Sequence, residues 1–448
     1  MGKELQNTFF SPKRDFSTKV QIFIMVLVLS LLAYNSFAIQ RFPKPEFEGN
    51  YKIPPTQVTK TQSPALQYLD IAVLIGVMSL ITWMILQKRF RRGVFWISVF
   101  SLLYFGFYRK GCICPVGSLQ NVTMAIFNPD YKIPFTAIAF FTIPLGFTLF
   151  FGRTFCAGVC PLGAIQDLFA VRPISLKPWI RYLLGLIPLI YLGLALLYAA
   201  TGTDFIVCRY DPFVGLFRHN ATYLMFLIGG VLLLTGIFIA RPYCRFLCPY
   251  GVILNLVSRF SRKHVSIAPG KCVSCKLCEH ACPYDAIDKP TGLGVKNDNR
   301  ELIKKLIIYC MITPLLVVVC GWTVSRYHQD FAGVNFKVRL AKELMANETK
   351  AETAVIPTEI TTFKSSGKPL ENLYKEANAI VHRFYIGSWI IGAFIGLVFG
   401  LVLARLTIFK YRDEYLVNKG SCLSCARCLE YCPVEDTRGQ VLKESLTE

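Results

Sequence analysis

At 448 residues the chain is long enough for two or three soluble domains, but 53% hydrophobic and 14% aromatic residues against only 17% charged argue against these and give a membrane profile. The net charge of +21 does not indicate nucleic acid, because Lys and Arg flank apolar segments, as the positive-inside rule requires, and form no basic patch interleaved with aromatics. Seventeen cysteines in so basic and apolar a chain also exclude a secreted disulfide scaffold.

Lys3, Lys13, Arg14 and Lys19 precede the apolar run 20–40, which predicts a first spanning helix with its N-terminus inside; a signal peptide ending near Ser36 and Ala38 is the rival. Pro43, Pro45, Pro54, Pro55 and Pro64 make 41–67 an extended outer loop. The run 68–86 returns to Lys88, Arg89, Arg91 and Arg92 on the inner side. Further spans are expected at 93–108, 133–151, 182–200, 223–240, 302–324 and 384–409, about eight transmembrane helices in all, with a polar outer loop at 325–383 and both termini cytoplasmic. The organisation expected is an N-terminal hairpin (1–92), a membrane core (93–260), a polar basic segment (261–300), a second hairpin (301–409) and a tail (410–448).

Two copies of one cysteine pattern lie in that segment and that tail. Cys272, Cys275, Cys278, Cys282 and Pro283 form the first; Cys422, Cys425, Cys428, Cys432 and Pro433 form the second. Both read C-x2-C-x2-C-x3-C-P, the bacterial ferredoxin spacing for a [4Fe–4S] cube, whereas structural zinc favours Cys pairs with a longer insert. Two spans between the copies return both to one face. In two-cluster ferredoxins the fourth Cys serves the other cluster. One composite domain is therefore expected, with one cube on Cys272, Cys275, Cys278 and Cys432 and another on Cys422, Cys425, Cys428 and Cys282. Two independent loops, each closing its own cube, are the alternative. The fold class expected is an α-helical polytopic membrane protein carrying a small α+β bacterial-type 2[4Fe–4S] ferredoxin domain assembled from two separated segments.

A second self-similarity runs through the membrane core. Residues 153–168 (RTFCAGVCPLGAIQDL) and 241–256 (RPYCRFLCPYGVILNL) are versions of one unit, and 109–122 (RKGCICPVGSLQNV) is the same unit shortened between its cysteines. Cys208-Arg-Tyr-Asp211-Pro212 reads as a decayed fourth copy with Asp in place of the second Cys. If the copies alternate sides, Cys156, Cys160, Cys244 and Cys248 form an inner set, and Cys112, Cys114, Cys208 and Asp211 an outer one. Thiolate at a membrane boundary is costly unless a metal neutralises it, so one or two further iron–sulfur clusters are expected there. The Pro is expected to end helical geometry after the second thiol. Free thiols for the inner set, and a disulfide or copper for the outer set, are the alternatives. Cys310 and Cys320 read as apolar packers, and His219, His264, His280, His328 and His382 as structural or solvated.

These motifs resemble those of the membrane-bound polyferredoxins, among them the quinol-dehydrogenase subunit of periplasmic nitrate reductase systems and the nitrous-oxide-reductase accessory flavoprotein. The matching pieces are 156–163, 244–251 and the two ferredoxin runs, with the basic flanks and helices between them. The ferredoxin motifs are here split by a helical hairpin, and no threonine-centred flavin attachment motif falls in 325–383, so a flavin would belong to a partner. The resemblance implies an electron-transfer subunit in the bacterial inner membrane, working between a soluble ferredoxin or other cytoplasmic donor and an extracytoplasmic flavoprotein or cytochrome. A quinol-oxidising subunit is a rival reading, against which stands the scarcity of acids and His in the spans; a metal-reducing assembly factor is another.

Overall fold

The computed structural model describes residues 63–111, 114–171, 173–267, 272–290, 299–348, 369–407, 412 and 414–432. The expected first span at 20–40, most of the loop after it, Cys112 and Pro433 lie outside these residues. Helix α1 (Pro64–Trp83) runs on through a π-helical turn (Met84–Lys88) and stops where Arg89 takes a left-handed φ of 51°. Helix α2 (Arg91–Ser101) also becomes π-helical, over Leu102–Tyr108, and delivers Arg109 to the third cysteine repeat.

Three of the repeats are built alike: a one-turn helix carries the first Cys, the second Cys, or Asp211, is the N-cap, and the following Pro opens the next helix. The pairs are α5 (Thr154–Gly158) with α6 (Pro161–Phe169), α9 (Ile206–Tyr210) with α10 (Pro212–Arg218), and α12 (Pro242–Phe246) with α13 (Pro249–Ser258); Cys114 caps α3 (Pro115–Phe127). The proline thus starts a helix where the sequence suggested it would end one. Its missing N–H costs nothing at the first helical position, and its fixed φ suits the turn. Between the repeats run α4 (Phe135–Phe151), α7 (Pro178–Leu184) with α8 (Ile187–Ala200), and α11 (Tyr223–Gly236).

The protein is a mostly helical membrane protein. Among the described residues, four stretches are long and apolar enough to cross a bilayer: Ala65–Lys88, Trp179–Ala200, Arg300–Ser325 and Leu370–Ala404. A fifth exists if α10 and α11, bent by 115°, form one broken span. Of the other expected spans within the described residues, α4 has 17 residues and α2 hands over to a π-helix within its run.

The ferredoxin segments frame the last hairpin. After α14 (Leu277–Ala281) and β1 (Ile287–Asp288) the chain enters α15 (Asn299–Ser325), passes α16 (His328–Ala332) and α17 (Phe336–Glu348), and returns along α18 (Leu370–Thr407) to β2 (Leu416–Val417) and α19 (Arg427–Glu430). The 325–383 loop is therefore largely helical where described, with α18 starting well before the expected span at 384. Strands β1 and β2 pair antiparallel, Ile287 opposite Val417 and Asp288 opposite Leu416, so the two ferredoxin segments meet on one face.

Candidate functional site

The two ferredoxin segments fold as copies. In each, the residues two and four places after the first Cys hold positive φ: Ser274 and Lys276 in the first, Ser424 and Ala426 in the second, all between 51° and 62°. None is glycine, so this strained turn is maintained by its surroundings. Alternating handedness turns successive backbone N–H groups inward as an anion-binding nest. Ser424 N–H donates to Cys422 Sγ at 3.3 Å and Ala286 N–H to Cys282 Sγ at 3.4 Å.

The thiols sort into two groups. Burial pushes the Cys278 thiol up to about 11, and the neighbours that add to this are Cys275, Cys272 and Cys432. Burial likewise pushes Cys422 up to about 12 with Cys425 and Cys282 beside it, and raises Cys428 with Cys425, Cys422 and Cys282 as the larger contributors and Cys278 as the smallest. Each run therefore has its fourth Cys among the thiols of the other. Clustered buried thiols of this kind resist ionisation unless cationic iron neutralises them.

The second group lies against the membrane core. Arg91 Nη1 donates to Cys425 O at 3.3 Å and Arg153 Nη1 to Gly420 O at 3.1 Å. Tyr284, two residues past Cys282, donates its hydroxyl to Asp167 Oδ1 at 3.1 Å, and the Asp285 carboxylate accepts from Arg245 at 3.0 Å. The group with Cys272 and Cys278 is distal, and its Cys275 is exposed.

Beneath that interface lies the inner set. Cys160 interacts electrostatically with Cys156, Cys244 and Cys248, so the two repeats bring all four thiols together. The repeats interlock reciprocally. A Cβ on Gly163 would stand 3.1 Å from Arg241 Nη1, and one on Gly251 would stand 3.6 Å from Arg153 Nη2, so each repeat's arginine covers the other's glycine. Gln166 Nε2 lies 3.4 Å from Cys244 Sγ, Gly251 N–H donates to Cys248 Sγ at 3.3 Å, and Arg153 Nη2 is 3.9 Å from Cys156 Sγ. Cys160 and Cys248 cap helix N-termini, where the dipole favours an anion.

Buried charge supplies the test of fit. Arg241 is fully buried, Arg153 nearly so, and Arg91 and Arg427 partly, while Asp167 is the acid among them. Such a cationic surplus in a low-dielectric interior calls for anions, and a cube held by four thiolates is anionic (a net-charge argument). Among the described residues no three His, Cys, Asp or Glu side chains converge closely enough for one metal ion. A cube seats its ligands on separate iron corners, so its sulfurs stand farther apart than those around a single zinc.

The outer set is differently composed. Cys114 and Cys208 interact with one another, and a Cβ on Gly117 would stand 3.0 Å from Cys208 Sγ. Asp211 behaves as a helix cap: its Oδ1 accepts from Phe213 N–H at 2.9 Å and Val214 N–H at 3.1 Å, while its Oδ2 accepts the Tyr243 hydroxyl. Both oxygens are thus engaged. Asp is among the best N-cap residues, which explains why it stands where the other copies have Cys. A cavity of about 320 Å³ opens beside Cys114 and Cys208 and is lined also by Asp70, Arg109, Asn121 and Phe140. Within it the buried Asp70 is ion-paired with Arg109 and accepts the Tyr104 hydroxyl at 3.0 Å. In the sequence the signal for Asp70 is only a single acid in an apolar run.

Comparison with known proteins finds 4Fe–4S binding domains in this chain. A 4Fe–4S binding domain model matches residues 133–186 and 221–268, the stretches that carry the inner cysteines, and a second 4Fe–4S binding domain model matches 265–288. Relatives include protein NirI of Paracoccus denitrificans (28% identical over 53% of this chain and 36% of that protein) and the methylamine utilization ferredoxin-type protein MauN of Methylobacillus flagellatus (26% over 35% of this chain and 57% of that one). The regulatory protein NosR of Stutzerimonas stutzeri is another, 25% identical over 45% of this chain and 29% of its own length. The chain is thus similar to membrane-associated, polyferredoxin-like 4Fe–4S proteins. The chain spans only between 29% and 57% of the lengths of those three relatives. No solved structure matches it.

Proposed function

We propose that this chain is a membrane-bound polyferredoxin that serves as a transmembrane electron conduit of the bacterial inner membrane. It would accept electrons from a soluble ferredoxin or other cytoplasmic donor and deliver them to an extracytoplasmic flavoprotein or cytochrome. The observation that carries the reading is the docking of the Cys422 group on the inner quartet through Arg91, Arg153 and the Tyr284–Asp167 hydrogen bond. When bound, the cubes supply one-electron redox centres. The chain's own work is to hold them, exclude water and balance their charge. A hydrocarbon core of about 30 Å is too wide for one efficient tunnelling step, which is why thiol groups at successive depths make sense. The proposed ligands are Cys272, Cys275, Cys278 and Cys432; Cys422, Cys425, Cys428 and Cys282; and Cys156, Cys160, Cys244 and Cys248. Cys114 and Cys208, with Cys112, are the remaining donors on the outer side.

Iron and sulfide quantification on anaerobically purified protein tests this, at about four irons per cube. Three or four cubes per chain are expected. Two cubes, both lost when the ferredoxin cysteines are replaced, would leave the inner quartet as plain thiols and end the conduit reading.

The cavity at Asp70 favours a second reading, quinol oxidation, because it sets a buried acid beside the outer thiols in a volume within the usual range for small-molecule sites. Under that reading Asp70→Asn lowers quinol-driven cluster reduction at least tenfold while dithionite still reduces every cluster, and Asp70→Glu keeps most of the rate. Wild-type clusters that quinol cannot reduce would remove the reading.

A further inference from the structure

Asp167 occupies a singular place in the repeat. It stands seven residues after Cys160, where the corresponding positions after Cys248 and Cys114 are the neutral Asn255 and Asn121. Both its oxygens are in use, Oδ1 accepting from Arg241 Nε at 2.7 Å and Tyr284 Oη at 3.1 Å, and Oδ2 from Arg241 Nη2 at 2.6 Å. Arg91 Nη2 stands 3.6 Å from Oδ2, and Arg427 adds its field. Through these partners the carboxylate touches both neighbouring thiol groups. Arg241 also donates to Cys156 O and to Ala157 O at 3.1 Å, and Arg91 donates to Cys425 O. Burial alone would push its pKa up, but Arg241, Arg91 and Arg427 outweigh burial and hold the carboxyl below the ordinary range, so it remains ionised.

We infer that Asp167 is a positioning residue that sets the redox potential of the two centres on either side of it, the Cys422 group and the inner quartet, relative to the distal Cys272 group. The inference rests on the conduit reading. A fixed negative charge between two centres opposes their reduction, and in a water-poor interface little solvent screens it. Acting through Arg241 and Arg91, Asp167 keeps those guanidiniums from pulling electrons onto the near centres and trapping them there. The exchange moves one electron from one centre to its neighbour, with no bond or proton change.

EPR-monitored redox titration of the full-length, cluster-loaded protein is the test. In Asp167→Asn, whose side chain the other two repeats already accommodate, the midpoints of the near centres rise relative to the distal one. The partition of an electron between distal and near centres then changes about tenfold, or about 59 mV for a one-electron couple. Asp167→Glu restores the wild-type order, and Arg91→Gln, which removes a positive charge, moves the Cys422-group midpoint downward. Opposite signs from these two variants cannot come from general loosening. An equal shift of all centres in Asp167→Asn, no shift, or a shift of the same sign in Arg91→Gln would overturn the assignment. Failure of the conduit reading itself shows separately, as a wild-type iron content of only two cubes.

Discussion

Replacing Cys432 with Ser is expected to remove the centre held by Cys272, Cys275 and Cys278, more than a hundred residues away, and to spare the one beside it in sequence. The reason is the grouping of the thiols: Cys432 stands among the neighbours of Cys278, and Cys282 among those of Cys422 and Cys428. The β1–β2 pairing provides the frame, since it holds the two segments antiparallel. Iron counting distinguishes exchange from independent closure. The Cys272→Ser, Cys432→Ser double variant loses about four irons per chain, no more than either single variant, because both changes strike one cube. The Cys422→Ser, Cys432→Ser double variant loses about eight, because its changes strike two. If each run closed its own cube these two results would be interchanged. Cys282→Ser has the graver consequence for electron flow, since it removes the centre that abuts the membrane core.

The second large effect is expected far from any thiol. Helices α15 and α18 meet so closely that a Cβ on Gly392 would stand 2.3 Å from Cys320 O, one on Gly396 2.4 Å from Leu316 O, and one on Gly400 2.4 Å from Thr313 Oγ1. Glycine at every fourth position lets two helix backbones touch inside a bilayer, where apolar burial gives helices little reason to associate. At Gly392 and Gly396 the obstacle is main chain and cannot rotate aside. Gly396→Leu therefore forces the hairpin apart, at a cost above the roughly 1–3 kcal/mol typical of overpacking. This hairpin links β1 to β2, so the ferredoxin halves separate with it. Both ferredoxin cubes are lost or become labile, while iron on the inner quartet stays. Gly396→Ala gives a milder version. Cys310→Ala, at an exposed site on α15, changes stability by less than about 0.5 kcal/mol. Unchanged iron content in Gly396→Leu would mean that the ferredoxin domain holds together without the hairpin.

Much of this was legible in the linear chain because cluster chemistry imposes strict spacing. The ferredoxin runs, the repeated units and their Arg, Pro and Gly positions were all visible. Other features were not. The proline after each second Cys looked like a helix end, although as a first helical residue it serves equally well as a start. Asp211 looked like a replacement ligand, but its oxygens cap α10 and receive Tyr243. Asp70 was one acid in an apolar run until the fold brought Arg109 and Tyr104 to it. The positive φ at Ser274, Lys276, Ser424 and Ala426 falls on residues that carry no left-handed preference, so only the turn as a whole could reveal it.

By itself, then, the order of residues determined the type of cofactor chemistry and the membrane setting, because ligand spacing and apolar run length are local properties that no packing has to supply. Tertiary structure alone decided which ferredoxin group faces the membrane core, and that one carboxylate, Asp167, lies between that group and the inner thiols. Charge balance and close backbone approach depend on what other segments bring into contact, and that is not written in any one stretch of the chain.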